Sequence, residues 1–134
     1  MIRTEKIGAM EYLTADSIGA PHCFTTRLGG VSEGIFASLN LRYNGGDSPE
    51  NVEKNYALLA SALGFSMENL VLTRQTHSDI VLQVDRGNRG AGLLADPLPE
   101  CDALITDQPG LCLTIYYADC IPFIFFFIYF YLTL

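Results

Sequence analysis

Tryptophan is absent from the 134 residues, and histidine occurs only at His22 and His77. Basic residues are scarce too. Eight Lys and Arg against fifteen Asp and Glu leave a net charge of -7, which excludes the basic surface that a nucleic-acid groove requires. Charged residues make up 17% and hydrophobic residues 49%, a balance that excludes a disordered chain. The four cysteines (Cys23, Cys101, Cys112 and Cys120) contain no C-x-x-C pair. Neither a zinc ribbon nor a dense disulfide scaffold fits that spacing. The start, Met1-Ile2-Arg3-Thr4-Glu5-Lys6, lacks the apolar core of a secretory signal. A cytoplasmic setting with free thiols is therefore expected.

What is present suffices for one domain or a piece of one. Residues 1–120 read as ordinary globular sequence, whereas residues 121–134 carry no charge and crowd their aromatics together. Pro122 and Asp119 bound that run, so it falls short of the ~20 apolar residues of a membrane span. Residues 1–123 are expected to be the N-terminal part of a single domain. Residues 124–134 are expected to be an aberrant hydrophobic tail, from truncation or a frame change. The alternative is a real hydrophobic tail for a partner or a membrane surface, or for self-association.

Within the body, Ser48 as N-cap, Pro49 at N1, inward Val52, Tyr56, Leu59 and Leu63, and Gly64 at the end predict a helix. Glu50 and Lys54 are spaced as an outer i,i+4 pair. Strands are predicted over residues 22–27, 70–73, 80–84, 103–106 and 111–116. A long Gly- and Pro-rich loop spans 86–101, and Pro109-Gly110 marks a type II turn. One helix among several strands predicts an α+β class with a mixed sheet.

Few residues offer chemistry. His77 lies in a polar interruption, Arg74-Gln75-Thr76-His77-Ser78-Asp79, between two apolar strands, where sites tend to gather. His22 has no such setting and reads as structural. Cys120 follows Asp119 at a strand boundary, while Cys101 and Cys112 read as inert core thiols. An imidazole and a thiolate suit Zn²⁺, but a catalytic zinc takes three protein ligands. The same two residues also suit a metal-free Cys–His nucleophile pair. The loop from Arg27 through Gly29, Gly30 and Ser32 offers a guanidinium, flexible glycines and a hydroxyl, chemistry suited to a phosphate nest. Asn40 either presents its amide to a ligand or caps a turn.

Five segments then combine: Phe24-Thr25-Thr26-Arg27-Leu28-Gly29-Gly30-Val31-Ser32, Ser38-Leu39-Asn40-Leu41, Gln75-Thr76-His77-Ser78, Asp102-Ala103-Leu104-Ile105-Thr106 and Ala118-Asp119-Cys120-Ile121-Pro122. In this order and approximate spacing the chain resembles the multicopper-polyphenol-oxidoreductase or laccase-domain family. That family is also called purine nucleoside phosphorylase-like and includes the peptidoglycan editing factor. The resemblance implies a mixed β-sheet sandwich with flanking helices, incomplete here because the C-terminal half is missing. It further implies a mononuclear zinc held by His77, Cys120 and a second histidine from a His-x-Gly-Trp-Arg-Gly segment that this chain lacks.

The activities implied are purine nucleoside phosphorolysis, including that of methylthioadenosine, and adenosine deamination, with purine nucleosides and phosphate as partners. His77 and Cys120 would be catalytic metal ligands; Arg27, Gly29, Gly30, Ser32 and Asn40 would bind substrate. Copper is less favoured, since two histidines cannot furnish the several sites of a laccase. Impaired turnover is expected from the incomplete ligand set.

Overall fold

The computed structural model describes residues 1–43 and 45–127. Asn44 and most of the expected tail, residues 128–134, lie outside them. The described residues form a mixed α/β structure of seven strands, one α-helix and three short 3-10 turns, the class that the sequence predicts. The strands fall into three small sheets rather than one.

The first sheet is antiparallel and opens the chain. β1 (Ile2–Ile7) and β2 (Met10–Ala15) form a hairpin in full register from Ile2↔Ala15 to Ile7↔Met10. Its two-residue loop begins at Gly8, whose φ of +60° a glycine adopts without Cβ strain. β3 (Phe24–Thr25) pairs with β2 and is shorter than the predicted 22–27 strand. The hairpin itself has no counterpart among the predicted strands.

The helix α1 spans Pro49–Leu63 and ends at Gly64 in the left-handed region, φ +73°. Its start differs from expectation in one respect. Ser48 stands at the cap in extended backbone but makes no side-chain cap bond. Its hydroxyl donates to Glu50 Oε2 at 3.1 Å, and no Glu50–Lys54 ion pair forms among the described residues. The inward face carries Val52, Tyr56, Leu59 and Ala60, with Asn55 buried beside them.

Beyond α1 come β4 (Leu70–Leu72), β5 (Val81–Gln83), β6 (Ala103–Ile105) and β7 (Cys112–Thr114). β4 pairs parallel with β7, and β5 parallel with β6. β4 is buried on both faces, as a continuous apolar run predicts. Val71 packs with Val84, Ala91, Leu98 and Cys101, while Leu70 and Leu72 pack with Val52 and Tyr56.

The long 86–101 loop is part of this core. Gly90 N–H donates to Leu70 O at 2.8 Å and Leu72 N–H to Ala91 O at 3.0 Å, covering the free edge of β4. Gly110 has φ +88°, as the second central residue of a type II turn requires. Among the described residues no helix is long and apolar enough to cross a membrane.

Candidate active site

Two loops leave the same end of the β4–β7 pair, because parallel strands point the same way. Pairing persists past the strand ends: Thr73 N–H donates to Thr114 O at 3.2 Å. The Gln75 side chain then mimics a strand partner, accepting from Tyr116 N–H at 2.7 Å and donating to Tyr116 O at 2.9 Å. His77 lies two residues beyond Gln75, and Cys120 four beyond Tyr116; both are exposed.

The β7 exit loop is tied on two further sides. Tyr116 Oη shares a 2.9 Å hydrogen bond with Tyr56 Oη of α1. Tyr117 Oη donates to Thr25 O at 2.6 Å, two residues before Arg27, and its ring meets Phe24 edge-on at 6.5 Å. The segments bearing Arg27, His77 and Cys120 are thus bound to one another by named bonds.

His77 has φ +60°, the one positive value among the described non-glycine residues. Around it, three consecutive amides converge on Asp102: Thr76 N–H at 3.1 Å, His77 N–H at 3.0 Å and Ser78 N–H at 2.9 Å. Ser78 Oγ donates to the same carboxylate at 2.8 Å. The Ser78 amide above all, with the other three donors, outweighs partial desolvation and holds the Asp102 carboxyl down to about 2.

The Arg27–Asn40 loop is clamped from inside. Gly29 and Gly30 N–H both donate to Ser38 Oγ, at 3.1 and 3.2 Å, and Val31 N–H donates to Asn55 Oδ1 at 2.8 Å. Ser32 N–H goes to Ser38 O at 2.9 Å. The amides read as a phosphate nest are therefore engaged within the loop. Close approach is what requires both glycines. A Cβ at Gly29 would lie 2.5 Å from Met10 Cα, and one at Gly30 2.5 Å from Asn55 Oδ1.

Ser32 Oγ and Asn40 Nδ2 donate to Asp47 Oδ2 at 2.6 and 3.0 Å, and Ser48 N–H donates to Asp47 Oδ1 at 2.8 Å. The Ser32 hydroxyl first, then the Asn40 amide, lower the Asp47 carboxyl below its usual range. Fully buried Asn55 also donates to Ser32 Oγ at 2.9 Å and Asn40 O at 2.7 Å. Arg27 is exposed; its Nε and Nη2 donate to Ala37 O, leaving three of a guanidinium's five N–H groups for a ligand.

The remaining candidates are spent on the fold. His22 accepts the Ala15 N–H at Nε2 and bonds Ala20 O through Nδ1, both at 2.8 Å. Burial pushes the Cys23 thiol up to about 11 and raises Cys112 as well. Sequence reasoning assigned no role to Gln75, Asp102, Asn55 or Asp47. Gln75 and Asp102 carry a signal as members of two of the five segments, and Asn55 as a polar residue within the inward stripe of α1.

These features define a mixed α/β protein whose polar centre is built from loops at the carboxyl ends of parallel strands, the usual place for a ligand in such sheets. The chain belongs to the family described as multi-copper polyphenol oxidoreductase laccase, whose model matches residues 21–127. It is 41% identical over 110 residues to a purine nucleoside phosphorylase of Deinococcus radiodurans, covering 82% of this chain and 40% of that protein. It is 38% identical over 109 residues to the purine nucleoside phosphorylase YlmD of Geobacillus stearothermophilus, covering 80% and 40%.

Among solved structures, YlmD from Geobacillus stearothermophilus superposes with a TM-score of 0.77 at 34% identity, over 87% of this chain and 45% of that one. The Bacillus licheniformis hypothetical protein YfiH gives 0.70 at 36%, over 73% and 38%. The chain spans about 40% of the length of the curated relatives it matches.

Proposed function

We propose that this chain supplies part of the active site of a zinc-dependent purine nucleoside phosphorylase, acting in a reducing cytoplasm. Adenosine deamination and methylthioadenosine phosphorolysis are the companion reactions of the same site. One observation carries the reading: the β7 exit loop is bonded both to Gln75, beside His77, and to Thr25, beside Arg27. The activity for which its relatives are named supports it.

The donor chemistry fits zinc in kind. An imidazole and a thiol are ligands that this ion prefers, and a catalytic zinc takes three from protein. Among the described residues no group of three His, Cys, Asp or Glu gathers, so His77 and Cys120 are assigned as a partial set. When bound, zinc supplies Lewis acidity toward water or a substrate oxygen. Copper is the weaker assignment, because two histidines are all this chain has for it.

In phosphorolysis a phosphate oxygen bonds to ribose C1′ as the C1′–N9 bond breaks, releasing the purine and ribose 1-phosphate. The three remaining N–H groups of Arg27 are assigned to that phosphate. Gly29, Gly30, Ser32 and Asn40 serve by fixing the loop that presents Arg27, since their own polar groups are bonded internally.

Zinc analysis and inosine phosphorolysis by the 134-residue chain test the reading. Weak zinc retention with turnover near background is the expected outcome, with both lost in His77→Ala. Robust phosphorolysis by this chain, or turnover that survives His77→Ala with Cys120→Ala, would contradict it, and hydrolytic activity in metal-free protein lost in Cys120→Ala would favour the Cys–His hydrolase.

A second reading rests on the tail. Phe123, Phe125 and Phe127 stack at 6.3 Å spacing and are 70%, 76% and 66% exposed. An exposed aromatic ladder of this kind suits self-association or a protein partner. Size-exclusion chromatography with and without residues 124–134 decides: a discrete complex lost on deletion supports this role, and an unchanged elution volume removes it.

A further inference from the structure

Asp102 is not engaged in a local turn. Elsewhere the chain caps itself with short-range bonds, as where Asp85 Oδ1 accepts from Gly87 N–H at 2.7 Å and Ser66 Oγ from Glu68 N–H at 3.3 Å. The Asp102 carboxylate instead takes four donors from residues 24 to 26 positions away. Three are consecutive amides, the arrangement that forms an anion-holding concavity, here filled by the chain's own carboxylate.

The ground beneath is firm on both sides. Cys101 N–H donates to Arg74 O at 3.0 Å, and Asp102 and Ala103 N–H donate to Ile80 O at 3.1 and 3.2 Å. The start of β6 is thereby fixed to both ends of the segment that holds His77. At the centre of that segment His77 adopts φ +60°, a left-handed backbone that a residue with a Cβ disfavours. Side-chain rotamers follow φ and ψ, so a carboxylate that enforces this backbone also limits where the imidazole can point.

We infer that Asp102 is a positioning residue that fixes the left-handed backbone from which the His77 imidazole is presented. The inference takes from the proposed function only the assignment of His77 to the site. Partners one shell beyond a metal ligand are worth about 10–100-fold in metal affinity.

Asp102→Asn in the full 134-residue chain tests it, because the amide keeps the shape and turns one acceptor into a donor facing the loop amides. Hydrogen exchange of Thr76, His77 and Ser78 should accelerate at least about ten-fold while Leu59 and Ala60 in α1 stay protected. The three-bond couplings that report His77 χ1 should move from one dominant rotamer toward averaging. Zn²⁺ affinity measured against a chromophoric chelator should fall at least about ten-fold.

Unchanged χ1 couplings overturn the inference, as does a zinc affinity equal to wild type in a variant whose loop amides have opened. If wild-type zinc binding proves independent of His77, the metal assignment fails on its own. The χ1 couplings, which need no metal, then decide whether Asp102 positions the ring. Should Asp102→Asn not fold, Ser78→Ala, which removes one of the four donors, should shift the same couplings and amides to a smaller extent. No shift in that variant overturns the inference equally.

Discussion

Asn55 shows how one residue can hold a loop that it does not belong to. Its side chain meets Val31 N–H, Ser32 Oγ and Asn40 O from a fully buried position on α1. Truncation takes the acceptor from Val31 N–H and the donor from Asn40 O, at about 1–3 kcal/mol for each unsatisfied group, while Ser32 Oγ keeps its bond to Asp47. Asn55→Ala should therefore destabilise the chain by at least about 2 kcal/mol in urea unfolding. A loss below about 1 kcal/mol, the scale of a single ordinary hydrogen bond, would contradict the assigned network. His77 and Asp102 stand in the same relation, one the proposed site residue and the other, far along the chain, bonded to its backbone.

The loops at the carboxyl ends of the strands are clamped by carboxylates, so their integrity depends on pH with a definite sign. Asp102, near 2, and Asp47, below its usual range, titrate lower in the folded chain than the ~3.9 of an unfolded Asp. Groups depressed in this way stabilise the fold above the unfolded value and lose that contribution as pH falls through the folded one. Stability from these clamps should hold from pH 7 down to about 4 and decline between about 4 and 2. The urea midpoint as a function of pH measures this. An acid decline of equal size in Asp102→Asn with Asp47→Asn would contradict it.

Elements also differ in how plainly the sequence announces them. The helix was legible because Pro49, the Val52–Tyr56–Leu59 stripe and Gly64 agree with one another, and β4 because its apolar run is unbroken. The β1–β2 hairpin is not legible, because the six residues on either side of Gly8-Ala9 mix charged and apolar side chains without clean alternation. The 86–101 segment reads as loop from its glycines and prolines, yet tertiary bonds to Leu70 and Leu72 make it an edge of the core. His77 and Cys120 were candidates by residue type and setting. Asp102 heads one of the five segments, yet nothing in that segment shows that its four donors lie 24 to 26 residues away.

Across the whole molecule, small parallel pairs and exposed Val81, Ile105 and Leu113 accompany a chain that covers about 40% of its curated relatives. The proposed site has two loops from one end of the β4–β7 pair sharing one metal ion. Zinc-edge X-ray absorption on the zinc-loaded 134-residue chain tests it most directly. One sulfur near 2.3 Å and imidazole nitrogen near 2.0 Å are predicted, the sulfur lost in Cys120→Ser and the imidazole scattering in His77→Ala. A shell of oxygen alone, identical in the wild type and both variants, would contradict the account.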